Sequence, residues 1–268
     1  MTGHDFILTV REKPRGGSRR TTILEDIRPL GDQIWVIYIH GFNVDQERAL
    51  RQGRTLWTNL FGGSPPSRVQ KGAFLWPSDR YLNRSWSKMA YPAMIDRAAR
   101  SGRQLGDYLA ARNRDSAVLV GHSLGALVAL TAADRLRGRG IVRGFALLGA
   151  AVDVAEMVDD GSFTFVPLAR REAVEYSPSD KVLRQVFRLG QKFAGPYSPR
   201  IEAVGLNGQP RSRGWKHHDC GFDHHTHWRE PGTAAAVEWV LNHAATGRSP
   251  SSTTPAEHNP ATRDAEGP

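Results

Sequence analysis

Residues 117–130 read Ala-Val-Leu-Val-Gly-His-Ser-Leu-Gly-Ala-Leu-Val-Ala-Leu. A short apolar run enters Gly-x-Ser-x-Gly and leaves into a second apolar stretch of helical length. No other segment restricts the fold as much, because a strand must turn within five residues into a helix. The two glycines have a steric reason. The turn holds its central residue at unfavourable backbone angles, and side chains at positions 121 and 125 would collide with the neighbouring strand and helix. A helix starting here aims its free N–H groups and positive dipole end at Ser123, where they can hold developing negative charge. With 27 glycines and 17 serines in 268 residues, the bare motif arises by chance roughly 0.17 times. The flanking strand and helix set this copy apart from such accidents.

The rest of the chain repeats the alternation. Apolar runs at 6–10, 34–39, 73–76, 117–120, 145–148, 173–176 and 201–204 read as strands, and helices are expected over 45–59, 93–111, 124–136, 181–189 and 233–243. Most of the strands lack a polar face, which places them inside a sheet covered on both sides. The expected class is therefore α/β, a mostly parallel central sheet with helices on both faces. One domain over residues 1–243 accounts for these elements, with room for a small cap at 151–172. Residues 244–268 contain no Ile, Leu, Val, Met, Phe, Trp or Tyr, so a disordered Pro/Ser/Thr-rich tail is expected there. Residues 11–20 carry five basic side chains among Pro14, Gly16 and Gly17, and read as a mobile connection between two early strands.

Composition excludes several classes. With 40% hydrophobic and 24% charged residues, the chain is neither fibrous nor wholly disordered. Cys220 is the single cysteine, which rules out an intrachain disulfide framework. No apolar run reaches the ~20 residues that span a bilayer, and the N-terminal residues lack the basic and apolar regions of a signal peptide. A cytoplasmic protein with no transmembrane segment is expected. The net charge of +9 suits an anionic partner, yet the basic residues are scattered and no nucleic-acid reading motif accompanies them. No nucleic-acid partner is expected.

A nucleophilic serine needs a base, an orienting acid and donors for an oxyanion. The most apolar strand, 34–39, ends in His40-Gly41-Phe42-Asn43, and the backbone N–H groups of Phe42 and Leu124 are the expected donors. His40, just before the turn, is read as structural or hole-shaping. Asp180 follows a strand and a Ser-Pro turn, where it either serves as the acid or caps the next helix; Asp153 is the alternative acid. Five of the ten histidines fall at 217, 218, 224, 225 and 227. His224 is the favoured base and His225 its alternative, with His227 and Trp228 packed alongside. His217 and His218 are expected at the surface. The same cluster, with Cys220, Asp219 and Asp223, contains enough donors for a metal, but the spacing fits no zinc pattern. No metal or cofactor is expected. Trp76, Tyr81 and Trp86 are candidates to line a substrate pocket, and Arg80, Arg84 and Lys88 its rim.

Assembled in this way, residues 30–243 resemble the α/β-hydrolase superfamily. The resemblance rests on His40-Gly41-Phe42, on Gly121-His122-Ser123-Leu124-Gly125, on Asp180 and on the His224/His225 loop. It is nearest to bacterial serine hydrolases of unassigned substrate that carry a His40-to-Asn43 type turn and a Trp76-Pro77-Ser78 type turn. The resemblance implies hydrolysis of a small-molecule carboxylic ester through an acyl-enzyme on Ser123. A hydrolase-fold protein that binds without turnover, or a basic surface-binding module, are the competing readings.

Overall fold

In the computed structural model, the structure describes residues 5–10, 22–23, 33–62, 64–78, 84–112, 116–158, 161–163, 172–188, 202–208, 215–221 and 223–245. The strands are β1 (Phe6–Thr9), β2 (Thr22–Ile23), β3 (Ile34–Ile39), β4 (Val69–Leu75), β5 (Ser116–His122), β6 (Val142–Leu148), β7 (Glu172–Tyr176) and β8 (Trp215–Asp219). They form one sheet in the order β2-β1-β4-β3-β5-β6-β7-β8. Every neighbouring pair is parallel except β1 with β2.

The central strands are apolar on both faces because both faces are covered. Trp35, Ile37 and Ile39 of β3, with Leu119 of β5 and Leu147 of β6, pack on one side under α2 (Arg84–Ala111) and α3 (Gly125–Arg135). Val36, Tyr38, Val118, Val120 and Leu148 point the other way, under α1 (Gln46–Phe61) and α4 (Pro231–Ala245). The alternation is the period-two geometry of a strand, and burying both faces is what a parallel sheet requires. The class is therefore α/β as expected, a mostly parallel central sheet with helices on both faces. The start of α1 is fixed by Asp45, whose side chain accepts from Arg48 N–H at 2.7 Å, and its end by Gly62 at φ 55°.

Three expectations change. Of the expected strand 201–204, residue 201 lies outside the described residues and 202–204 add no strand: Ala203 makes a single bridge to Asp153, and Val204–Asn207 is a short helical turn. The last strand is instead β8, whose polar sequence Trp-Lys-His-His-Asp conceals it from a search for apolar runs. It lies at the end of the sheet order and pairs only with β7 among the described residues. Helix α2 starts at Arg84, ahead of the expected 93, and continues through Pro92, a residue that removes one internal hydrogen bond but does not end the helix here. Of the region expected to form a cap, Val152, Met157 and Phe163 are buried in the core, and residues 159–160 and 164–171 lie outside the described residues, as do residues 11–20. Helix α4 extends to Ala245; residues 246–268, most of the expected tail, are outside the described residues. Among the described residues, no helix is long and apolar enough to cross a membrane.

Leu119 is fully buried in the middle of the sheet. Leu119→Ala is expected to lower the unfolding free energy by about 2–5 kcal/mol, read as a lower urea midpoint with an unchanged slope.

Candidate active site

Ser123 stands between β5 and α3 with φ 53°, one of two non-glycine residues at positive φ among those described. Its backbone is fully engaged. The N–H donates to Leu148 O at 2.9 Å, and the carbonyl accepts from Ala126 at 3.0 Å and Ala151 at 3.1 Å. The flanking glycines allow this packing. A Cβ at Gly121 would lie 2.7 Å from the Gly125 carbonyl oxygen, and one at Gly125 would lie 2.6 Å from the His40 carbonyl oxygen.

The side chain of Ser123 meets one of the two histidines proposed from the sequence. His224 Nε2 is 2.9 Å from Ser123 Oγ, and His224 Nδ1 is 2.6 Å from Asp180 Oδ2. A carboxylate only accepts, so Nδ1 carries the proton and the Nε2 lone pair receives the serine hydroxyl. Both His224 and Asp180 are buried. Burial pushes the Asp180 carboxyl up; the hydrogen bond and charge of His224, with the Leu183 N–H, outweigh it and hold the group below its ordinary value. Asp180 also caps the following helical turn, because its Oδ1 accepts from Leu183 N–H at 2.9 Å. One carboxylate oxygen thus faces His224 while the other caps the turn. Asp153 instead caps the turn Val154–Met157, accepting from Ala155 N–H at 3.0 Å. His225 packs edge-on against His224, with centroids 5.4 Å apart. Burial, His224 and Arg48 hold its imidazole below the ordinary value.

The turn after β3 is cross-bonded to the turn after β4. His40 is fully buried; its Nε2 accepts from Trp76 N–H at 3.2 Å and its Nδ1 donates to Gly41 O at 3.0 Å. The Trp76 indole N–H donates to His40 O at 2.7 Å, and the two rings stack at 5.7 Å. Asn43 N–H donates to Ser78 O at 3.0 Å, and Ser78 Oγ donates to Val44 O at 2.9 Å. Trp76 is therefore a core residue that shapes the turn, and it does not line the cavity at the serine. That cavity has a volume of about 260 Å³ and is bordered by Phe42, Ser123 and His224 with Tyr91, Leu183 and Val186 among others. Tyr81, Arg80 and the side chains of Trp86, Arg84 and Lys88 lie outside the described residues.

A second set of polar groups lies behind His224. His122 Nε2 donates to the His224 carbonyl oxygen at 2.8 Å. Burial, with His224 and His227 nearby, holds its imidazole well below the ordinary value, so the ring is neutral. Glu175, fully buried, takes His227 Nδ1 at 3.1 Å and Thr233 Oγ1 at 2.6 Å on one oxygen and His218 Nδ1 at 3.3 Å on the other. His218 is thus half-buried, turned inward from β8; the His217 side chain is outside the described residues. Burial pushes His227 down, but its hydrogen bonds to Cys220 Sγ and the Glu175 carboxylate prevail and raise it to about 9. These partners were not foreseen. The signal was a glutamate in the otherwise apolar Ala173-Val174-Glu175-Tyr176, since a buried carboxylate requires donors. Trp228 packs edge-on to His122 at 5.0 Å. Among the described residues, no group of three His, Cys, Asp or Glu side chains is placed to hold a metal ion.

No family model and no curated protein matches the chain. Several solved structures do. The catalytic core domain of acetyl xylan esterase from Trichoderma reesei is 11% identical, with a TM-score of 0.45 over 80% of this chain and 98% of that one. TT1662 from Thermus thermophilus is 15% identical, with a TM-score of 0.46 over 82% and 92%. A Trichoderma reesei cutinase in complex with a phosphonate inhibitor is 16% identical, with a TM-score of 0.42 over 81% and 78%.

The buried Glu175–His227 pair has a consequence for stability. Because His227 binds its proton more tightly folded than unfolded, the stabilisation is fully present below about pH 6.5 and is lost as pH rises through about 9. The thermal midpoint is expected to fall across that window, and His227→Gln to be less stable at pH 6.5 with a flatter pH dependence. A wild-type slope unchanged in the variant would remove His227 as its source.

Proposed function

We propose that the protein is a serine hydrolase that cleaves a small-molecule carboxylic ester through an acyl-enzyme. One observation carries the reading: the unbroken hydrogen-bonded line from Ser123 Oγ through His224 to Asp180, at 2.9 and 2.6 Å, starting from a residue held at positive φ. In this mechanism His224 takes the serine proton as Oγ attacks the ester carbonyl. Asp180 keeps Nδ1 protonated and stabilises the imidazolium that forms. The tetrahedral oxyanion is held by the N–H groups of Phe42 and Leu124. Neither group has a hydrogen-bond partner among the described residues, and Leu124 directly follows the serine. His224 then returns the proton to the leaving alcohol. Water, activated by the same imidazole, attacks the acyl-enzyme and releases the acid.

His225 has no hydrogen bond to Ser123 or Asp180 among the described residues, which supports His224 as the base. A fluorophosphonate probe is expected to label the wild type and not Ser123→Ala. In p-nitrophenyl ester turnover, His224→Ala is expected to lose at least 1000-fold and His225→Ala less than about tenfold; Asp180→Asn is expected to lose on the order of 10,000-fold. A folded wild type that takes no label overturns the hydrolase reading. Equal losses in the two histidine variants overturn the assignment of the base.

A further inference from the structure

The cavity beside Ser123 is small and mostly apolar. Its volume of about 260 Å³ equals the liquid volume of roughly nine waters, below the range of pockets that take drug-sized ligands. Its polar edge is made by Asn43, Ser123, His122, His224 and His225. Phe42, Tyr91 and Phe187 form a continuous aromatic wall of edge-to-face contacts, with centroids 5.9 Å apart for the first pair and 6.4 Å for the second. Such contacts fix the rings in place. The remaining apolar side comes from Val182, Leu183 and Val186. These residues follow directly on Asp180, and Leu183–Phe187 is wound as a π-helical turn, a wider coil that recurs at functional sites. Among the described residues, no Lys, Arg, Asp or Glu lines the cavity. The imidazoles among the described lining residues are His122, His224 and His225, of which burial holds His122 and His225 below their ordinary values. A charged group entering here would lose hydration with no counter-ion among the described lining residues to replace it.

Resting on the hydrolase reading, we infer that this cavity holds the acyl part of the substrate and selects uncharged, straight-chain acyl groups of about four to six carbons, with Val186 setting the length limit. Leu183, Phe187 and Tyr91 are locked into the core, at 1, 1 and 4% exposure. Val186 borders the same space but is only partly buried, so its size adjusts the cavity without opening the core.

The test is a series of p-nitrophenyl esters from acetate to dodecanoate, run with alkyl fluorophosphonate labelling on the same preparation. The expected kcat/KM is highest at butanoate or hexanoate and at least tenfold lower at decanoate, and a hemisuccinate ester is at least tenfold poorer than butanoate. Val186→Ala is expected to move the optimum to longer chains. Val186→Phe is expected to move it to acetate, mainly through KM. The reciprocal pair keeps the inference testable should one variant fold poorly. A protein that takes the label but shows a flat profile, a dodecanoate optimum, or no shift in either folded variant overturns the inference and leaves the hydrolase reading standing. So does a length preference found only in the alcohol part of alkyl acetates. A folded protein that takes no label overturns both.

Discussion

A single added carbon at position 125 would strike the carbonyl oxygens of Ile39 and His40, and one at position 121 would strike the backbone of Gly125 and Ala126. The site depends on this close approach of three backbones. Because α3 rests directly on the end of β3, the connection from β5 must reverse at Ser123 in a left-handed conformation, which costs a side-chain-bearing residue about 1–3 kcal/mol. The surroundings over-determine it: β6 accepts the serine N–H, while the starts of α3 and of the segment after β6 donate to its carbonyl. The core beneath holds the same elements together, since Ile39, Leu124, Ala126 and Leu147 share one cluster.

Around this fixed point the chain uses polar side chains as ties between loops. His40 and Ser78 stitch the turn after β3 to the turn after β4, so the backbone at Phe42 is held from outside its own segment. His122 reaches across from β5 to the carbonyl of His224, and Glu175 collects donors from β8, the closing loop and α4. Removing one member of such a set leaves buried groups unpaired, which is costlier than the bond itself is strong. Of the buried imidazoles behind the site, burial keeps His122 neutral while the carboxylate favours charge on His227. Positive charge is thereby drawn to one ring.

Much of this was legible in the sequence, and the failures share a cause. The elbow could be read because its steric demands fall on adjacent residues. Asp180 and His224 could be placed because each follows a recognisable strand or precedes a helix, yet proximity in sequence could not separate His224 from His225. Only the fold decides which of two neighbouring imidazoles meets a hydroxyl about a hundred residues away. Strand β8 was missed because it needs to bury little, so its composition is polar. Trp76 looked like a pocket residue because an aromatic near a turn satisfies either role, and its indole N–H partner, a carbonyl in another strand connection, leaves no local mark. The residues that tie His224 in place were invisible for the same reason, apart from one glutamate out of character with its strand.

The carboxylate that orients His224 and the apolar side chains bordering the neighbouring space sit on one short stretch, Asp180 to Phe187. Any shift of that coil to admit a bulkier guest would also displace the oxygen on which the imidazole is aligned. On the hydrolase reading, breadth of substrate and speed of turnover are therefore mechanically linked in this chain.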